Sequence, residues 1–270
     1  MIEFRNVWFR YTDDDPYVLK NINLVIDKGE LTAIVGENGS GKTTLIKHIN
    51  GLLKPVKGEV YVDGESTRDI PISKLAEKVS IVFQYPERMF FNPTVKEEMI
   101  STLSNFGYTE KEAMDIAIEI LSRFGLEDYL ERSPFSLSGG EQRRLSIAIA
   151  LSWSPEYVIL DEPTIGLDGT SRKTLIDMIH EILRDGKTVI IVSHDINFIL
   201  EFKTRLIILN DGEIKYDGPI RMDSNYKIPF HKYGLQPPKI IKLLEMLDIE
   251  VTPLYYGKIL EELLKRVDCR

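Results

Sequence analysis

Apolar and polar positions along the chain fall into two rhythms. Residues 2–11 alternate loosely, with Ile2, Phe4, Val7, Phe9 and Tyr11 apolar or aromatic, and Leu19, Ile22, Leu24 and Ile26 form a second strand-like run closed by Asp27-Lys28-Gly29. Mostly apolar runs at 31–35, 79–83, 157–160 and 188–193 predict buried strands. Residues 58–64 predict a short strand between turns. Residues 205–210, the turn Asp211-Gly212 and residues 213–217 predict a β-hairpin. The helical rhythm appears at Leu45, Ile46, Ile49, Leu52 and Leu53, before Lys54-Pro55 stops it. It dominates residues 94–130, through Val95, Met99, Leu103, Ala113, Ile116, Ala117, Ile120, Leu121 and Phe124, which predicts a helical insertion in a β-rich frame. It returns at 145–151 and 170–183. Beyond Gly218, Pro229, Pro237 and Pro238 punctuate a link to two short amphipathic helices, with Ile240, Ile241, Leu244 and Leu247 on one and Ile259, Leu260, Leu263 and Leu264 on the other. Those stripes are expected to bury on the main domain or on a partner.

The turn between the strand at 31–35 and its helix reads Gly36-Glu37-Asn38-Gly39-Ser40-Gly41-Lys42-Thr43-Thr44. It fits the phosphate-binding pattern G-x-x-x-x-G-K-[ST] and sits in the strand–turn–helix context that this pattern requires. Glycines let the chain wrap a triphosphate closely, and helix N-terminal N–H groups face the anion. Lys42 is expected at the β- and γ-phosphates and Thr43 at Mg²⁺.

Two further stretches carry candidate chemistry. Ser138 followed by Glu141 in Leu137-Ser138-Gly139-Gly140-Glu141-Gln142 is a capping box, and the two glycines make its helix start a second anion-ready site. The strand at 157–160 ends in Asp161-Glu162. In α/β sheets ligands bind at the carboxyl ends of strands, so Asp161 is suited to Mg²⁺ and Glu162 to polarising a water. His194 ends the strand at 188–193, whereas His48, His180 and His231 read as structural. Tyr11 precedes an acidic stretch, Thr12-Asp13-Asp14-Asp15-Pro16, that reads as a solvated loop; the tyrosine itself reads equally as core or as a rim residue able to stack on a base.

Composition narrows the function classes. The 270 residues suffice for one large domain or a large and a small one, and a net charge of −8 gives no basic footprint for nucleic acid. No apolar run approaches the ~20 residues of a membrane span, and Met1-Ile2-Glu3-Phe4-Arg5 does not read as a signal peptide. Cys269 is the single cysteine, which excludes internal disulfides and a cysteine-based zinc site. A protein of the cytoplasm is expected.

Taken together, the phosphate loop at 36–44, Gln84 after a strand, LSGGEQ at 137–142, VILDE at 158–162, Leu167-Asp168 and His194 resemble the nucleotide-binding subunit of an ABC transporter. The resemblance covers residues 1 to about 220, and LSGGEQ separates this family from other phosphate-loop ATPases. It implies an α/β P-loop NTPase core with an antiparallel β subdomain and a helical insertion at about 87–155; the small C-terminal helical extension at 221–270 lies beyond it and is expected to serve dimerisation. It also implies a head-to-tail dimer, homomeric or with a related ATPase, with ATP between the phosphate loop of one subunit and LSGGEQ of the other. By position, Tyr11 would stack on adenine and residues 36–44 would hold phosphates. Thr43, Gln84 and Asp161 would serve Mg²⁺, Glu162 would be the general base, and His194 would position the γ-phosphate and water. Ser138, Gly139 and Gly140 would reach the other subunit's ATP, and Asp168 would connect the two sites.

A narrower stretch, Gln84-Tyr85-Pro86-Glu87-Arg88-Met89-Phe90-Phe91, with the tail Gly234-Leu235-Gln236-Pro237-Pro238, is similar to the ATPases of energy-coupling factor (ECF) transporters and cobalt or nickel importers. Met89 and Gly169 stand where that group commonly has Gln and Pro. The group implies a membrane coupling subunit, a substrate-binding integral membrane protein and a place on the cytoplasmic face of the membrane. The rivals are the ATPase of an ordinary ABC transporter, a soluble ABC ATPase of DNA repair or translation, and a degenerate cassette that binds ATP and turns it over poorly.

Overall fold

The structure, a computed structural model, describes residues 1–85, 88–223, 226–252 and 254–268. Pro86 and Glu87 of the ECF-like stretch, and Cys269, lie outside the described residues. In chain order the elements are β1 (Ile2–Phe9), β2 (Leu19–Ile26), β3 (Leu31–Val35), α1 (Lys42–Ile49), β4 (Lys57–Val62), β5 (Glu65–Ser66), α2 (Ile72–Lys78) and β6 (Val79–Val82). There follow α3 (Val95–Ser104), α4 (Glu110–Arg123), α5 (Gly139–Leu151), β7 (Tyr157–Asp161), α6 (Gly169–Arg184), β8 (Thr188–Ser193) and α7 (Ile196–Ile199). The chain ends with β9 (Arg205–Asn210), β10 (Glu213–Pro219), β11 (Met222–Asp223), β12 (Tyr226–Lys227), α8 (Lys239–Met246) and α9 (Tyr256–Asp268). Two compact units result: Met1–Pro71 with Ile190–Arg270, and Ile72–Val189.

The first unit contains an antiparallel sheet in the order β2-β1-β4-β5. Its buried face carries Ile2, Phe4, Val7 and Phe9, and the skipped beat between Phe4 and Val7 is a register irregularity at Asn6, which has φ of 49°. A bulge of this kind resets the alternation by one residue, which is why the sequence pattern is loose there. The same unit carries strands in the order β10-β9-β3-β8, with β3 parallel to β9 from Thr32↔Arg205 to Val35↔Ile208. All five residues of β3 are buried, as expected for a strand covered on both faces.

Helix α1 is shorter than its apolar stripe predicts. It ends at Ile49, where Gly51 takes φ of 74° and donates its N–H to the His48 carbonyl, while the Leu53 N–H reaches Lys47. This left-handed stop outweighs the propensity of the residues beyond it, and Leu52 is left exposed.

The C-terminal extension packs within the first unit. Ile241, Leu244, Ile249, Val251, Leu254 and Ile259 are buried, and backbone bonds run from Leu254 N–H to the Ile220 carbonyl and from Tyr256 N–H to that of Leu200. The stripes are only partly consumed, since Leu243, Met246, Leu247, Leu260 and Leu264 stay exposed.

In the second unit β6 and β7 run parallel from Val79↔Tyr157 to Val82↔Leu160. Helices α3, α4 and α5 each begin with a complete capping box, at Thr94/Glu97, Thr109/Glu112 and Ser138/Glu141. Each box satisfies N–H groups that the first helical turn otherwise leaves open. Helix α2 has no apolar stripe to announce it; Leu75 is its one buried residue. No helix among the described residues is long and apolar enough to cross a membrane.

Candidate nucleotide site

The phosphate loop joins β3 to α1 in the first unit. Gly36 is walled in: a Cβ there would lie 2.2 Å from the Leu209 carbonyl oxygen and 2.6 Å from Ser40 Oγ. The hairpin β9–β10 also holds the loop from behind, through the Gly212 N–H donating to the Ser40 carbonyl at 3.2 Å. Helix α1 has no side-chain cap and no acidic residue in its first turn, whereas α3, α4, α5 and α6 are all capped by side chains. An uncapped helix start presents N–H groups and a positive dipole end to an anion.

Lys42 is buried, and its Nζ donates to the carbonyls of Gly36 at 2.8 Å and Glu37 at 2.9 Å, closing the loop on itself. Ser40 Oγ is buried with no hydrogen-bond partner among the described residues. An orphaned hydroxyl inside a cradle that a single Cβ would fill fits a phosphate group. Glu37, Asn38, Gly39 and Thr43 are exposed on the loop and the first helical turn.

Tyr11 resolves as a rim residue, 57% exposed. Its hydroxyl meets Thr44 Oγ1 at 3.0 Å, and its ring packs edge-on against Phe9 at 5.0 Å. Its aromatic face is therefore carried on an anchored side chain beside the phosphate-loop helix. His194, also in this unit, follows β8 and is exposed, while Asp195 beside it caps α7 through the Phe198 N–H. At the loop's other side a Cβ on Gly234 would come within 1.9 Å of Glu37 Oε1, so the C-terminal extension touches the phosphate loop itself.

The second unit holds the other candidates. Ser138 Oγ accepts from the Glu141 N–H, and the Glu141 carboxylate takes the Ser138 N–H at 2.7 Å, the Ser138 hydroxyl and the Tyr129 hydroxyl. Those donors, Tyr129 first, hold Glu141 below the ordinary glutamate range. Gly139 is open, whereas a Cβ on Gly140 would stand 2.3 Å from Ser171 Oγ. Ser171 lies in the first turn of α6, and its N–H bonds the Asp168 carboxylate at 2.7 Å, which lowers the Asp168 pKa. LSGGEQ and Asp168 are thus packed against each other's helix starts. Asp161 and Glu162 are both buried at the end of β7, and Glu162 has φ of 48°. A non-glycine residue in that region is uncommon and turns the chain sharply after the strand.

Arg143 is the residue whose importance the sequence hid. It is buried in α5 and donates to the carbonyls of Phe83 at 2.9 Å and Gln84 at 2.6 Å, fixing the backbone that carries Gln84. Its spacing to Ile147 and Ala150 on the apolar face of the helix was the available signal.

A phosphate loop on parallel strands, with a capped LSGGEQ helix and an Asp-Glu strand end in the same chain, defines a P-loop ATPase with an α/β core. The ABC transporter family model matches residues 19–165. The energy-coupling factor transporter ATP-binding protein EcfA of Methanothermobacter thermautotrophicus is 39% identical over 251 residues, covering 92% of this chain and 80% of that protein. EcfA2 of Acetivibrio thermocellus is 37% identical over 251 residues, 91% of this chain and 89% of that protein. Among solved structures, cbiO1 of Clostridium perfringens, part of the ABC transporter complex cbiONQ, matches at a TM-score of 0.74 and 32% identity over 80% of this chain and 87% of its own. The dimeric post-hydrolysis cassette MJ0796 bound to ADP and Pi matches at 0.71 and 33%, over 83% of this chain and 100% of its own. The chain belongs to the ABC transporter ATP-binding proteins. It is an ATP-binding ABC ATPase whose family couples ATP hydrolysis to transport.

Proposed function

We propose that this chain energises an ECF-type importer of vitamins or of transition-metal ions such as cobalt or nickel, from the cytoplasmic face of the membrane. The observation that carries the proposal is the extent of the EcfA match, which runs over 92% of the chain and so continues well beyond the 19–165 core that ABC transporters share. The C-terminal extension supports it, because Leu243, Met246 and Leu247 on α8 and Leu260 and Leu264 on α9 are exposed in the single chain. A dimer, of this chain with itself or with a related ATPase, gives those side chains a partner; in this reading residues 1–220 are the ATPase domain and residues 221–270 the dimerising extension. In the second unit Tyr85, Phe91 and Phe135 are exposed, Phe91 at 83%, which suits docking of a membrane coupling subunit. The backbone of that stretch is anchored by Glu98, which accepts from the N–H groups of Phe91 and Asn92.

The site residues take the following roles in this reading. Residues 36–44 hold the phosphates of ATP, and Tyr11 stacks on the base. Thr43, Gln84 and Asp161 serve Mg²⁺, which supplies charge neutralisation for phosphoryl transfer and is bound through few protein groups plus phosphate oxygens. Glu162 accepts a proton from the attacking water, and His194 positions that water. Ser138, Gly139 and Gly140 serve the ATP of the opposite subunit, and Asp168 links the two sites. A site completed by closure of a dimer turns ATP binding and hydrolysis into motion.

The test is to purify the tagged chain from mild-detergent-solubilised membranes and identify what accompanies it. A coupling subunit with a small integral binding protein is the expected result, and the binding protein then names the cargo. Two large substrate-pathway subunits, or no membrane protein at all, overturn the ECF reading.

A further inference from the structure

We infer that His48 is a positioning residue for the nucleotide base, holding Tyr11 in place through Thr44 and Phe9. This rests on the reading that Tyr11 stacks on the base. Four contacts within the first unit close a ring. The Tyr11 hydroxyl meets Thr44 Oγ1 at 3.0 Å. The Thr44 carbonyl bonds His48 Nδ1 at 2.8 Å. The His48 ring packs edge-on against Phe9 with centroids 4.7 Å apart, and Phe9 packs edge-on against Tyr11 at 5.0 Å. The side chain of one residue in the first turn of α1, Thr44, thus carries Tyr11, while its backbone carries His48. Perpendicular aromatic pairs at these separations are attractive and directional, so the ring fixes an angle as well as a distance.

The chemistry of His48 is defined by its partner. A carbonyl only accepts, so the proton sits on Nδ1 and Nε2 is left as an acceptor. That Nε2 is buried with no partner among the described residues, and the side chain is fully buried. An aliphatic residue at the same helical position would fill the core without leaving an acceptor unsatisfied. What it would not provide is the Nδ1–H bond to Thr44 together with an aromatic edge for Phe9. The cost is carried at the core position of α1 that braces both Thr44 and Phe9, the two partners of the tyrosine.

Binding of MgATP and of inorganic tripolyphosphate to the full chain separates a role at the base from a role at the phosphates. Tyr11→Ala is expected to raise the Kd for ATP about tenfold, equivalent to about 1.4 kcal/mol. His48→Leu is expected to raise it by a similar factor, to leave tripolyphosphate binding unchanged, and to add little in the Tyr11→Ala background, since both changes open one ring. Should His48→Leu fail to fold, Phe9→Leu opens the same ring from β1 and carries the same expectation. Equal losses for ATP and tripolyphosphate, or full additivity with Tyr11→Ala, overturn the inference. An effect of Tyr11→Ala with none of His48→Leu overturns it alone. No effect of Tyr11→Ala overturns the stacking reading, and the inference falls with it.

Discussion

Acid should destabilise this protein through His48 before its carboxylates titrate. Burial lowers the His48 pKa from 6.5 to about 4; the bond to the Thr44 carbonyl opposes the shift and the nearby Arg68 charge adds to it. In the unfolded chain the imidazole takes a proton near pH 6.5. Between the two values the unfolded state binds a proton that the folded state does not, so stability falls as pH falls, with a slope approaching 1.36 kcal/mol per pH unit. Well above pH 6.5 neither state is protonated and the effect vanishes, and well below about 4 both are protonated and it levels off. The full span is about 3 kcal/mol, of which about 2 kcal/mol is lost between pH 7.5 and 5.0. Asp168, Glu141, Glu112 and Asp211, whose pKa values are lowered from 3.8 or 4.5, contribute stability that is present above their unfolded values and lost at lower pH still. The assay is urea unfolding of wild type and His48→Leu at pH 7.5, 6.5, 5.5 and 5.0. Every other titrating group is common to the two proteins, so the difference between their profiles isolates His48. Wild type should lose about 2 kcal/mol more than the variant over that range. Parallel profiles, or an imidazole signal of folded His48 that titrates near pH 6.5, refute the reasoning.

Other perturbations test the loop and the chemistry. Lys42→Met removes a buried charge bonded to two carbonyls of its own loop and expected at the phosphates; ATP affinity measured by calorimetry should fall thirtyfold or more, about 2–5 kcal/mol. Gly36→Ala places a Cβ against the Leu209 carbonyl, where backbone cannot step aside, and should cost about 1–3 kcal/mol in thermal unfolding and weaken ATP binding; a wild-type melting temperature and Kd contradict this. Glu162→Gln should slow phosphate release about 10²–10⁴-fold and accumulate an ATP-bound dimer on size exclusion. A monomer that persists with ATP when every partner is present counts against the assigned base.

The elements that carry the site were legible because their patterns are local. The run 31–35, the glycine-rich turn and the lysine announced β3 and the phosphate loop together, and the structure ends β3 at Val35 as read. The Ser138/Glu141 box and the strand ending at Asp161 were visible for the same reason. What stayed hidden depends on distant partners or on a single backbone torsion. The stop at Gly51 cut α1 short because φ at one glycine outweighed a matching apolar stripe. Arg143 looks like any other charge beside LSGGEQ until its two carbonyl acceptors, about sixty residues earlier, are known. The sequence left Tyr11 between core and rim, since only the Thr44 hydroxyl across the first unit decides its anchoring. His48 read as structural, and it is buried; its ties to Phe9 and Thr44 belong to the folded chain alone.

The pairing of β3 with β9 has a consequence for synthesis. The back wall of the phosphate loop is Leu209 and Gly212, and at the far end of β3 the Thr204 hydroxyl bonds the Leu31 carbonyl across 173 residues of chain. A ribosome adding about 5–20 residues per second delivers that wall roughly ten to thirty seconds after the loop itself. During that interval residues 36–44 are present in the nascent chain without the strand that shapes them. The P-loop motif is written early in the message, but the nascent chain gains its nucleotide grip only when the hairpin at 205–219 emerges. Nascent chains halted before residue 205 should therefore fail to retain ATP, however complete their motif.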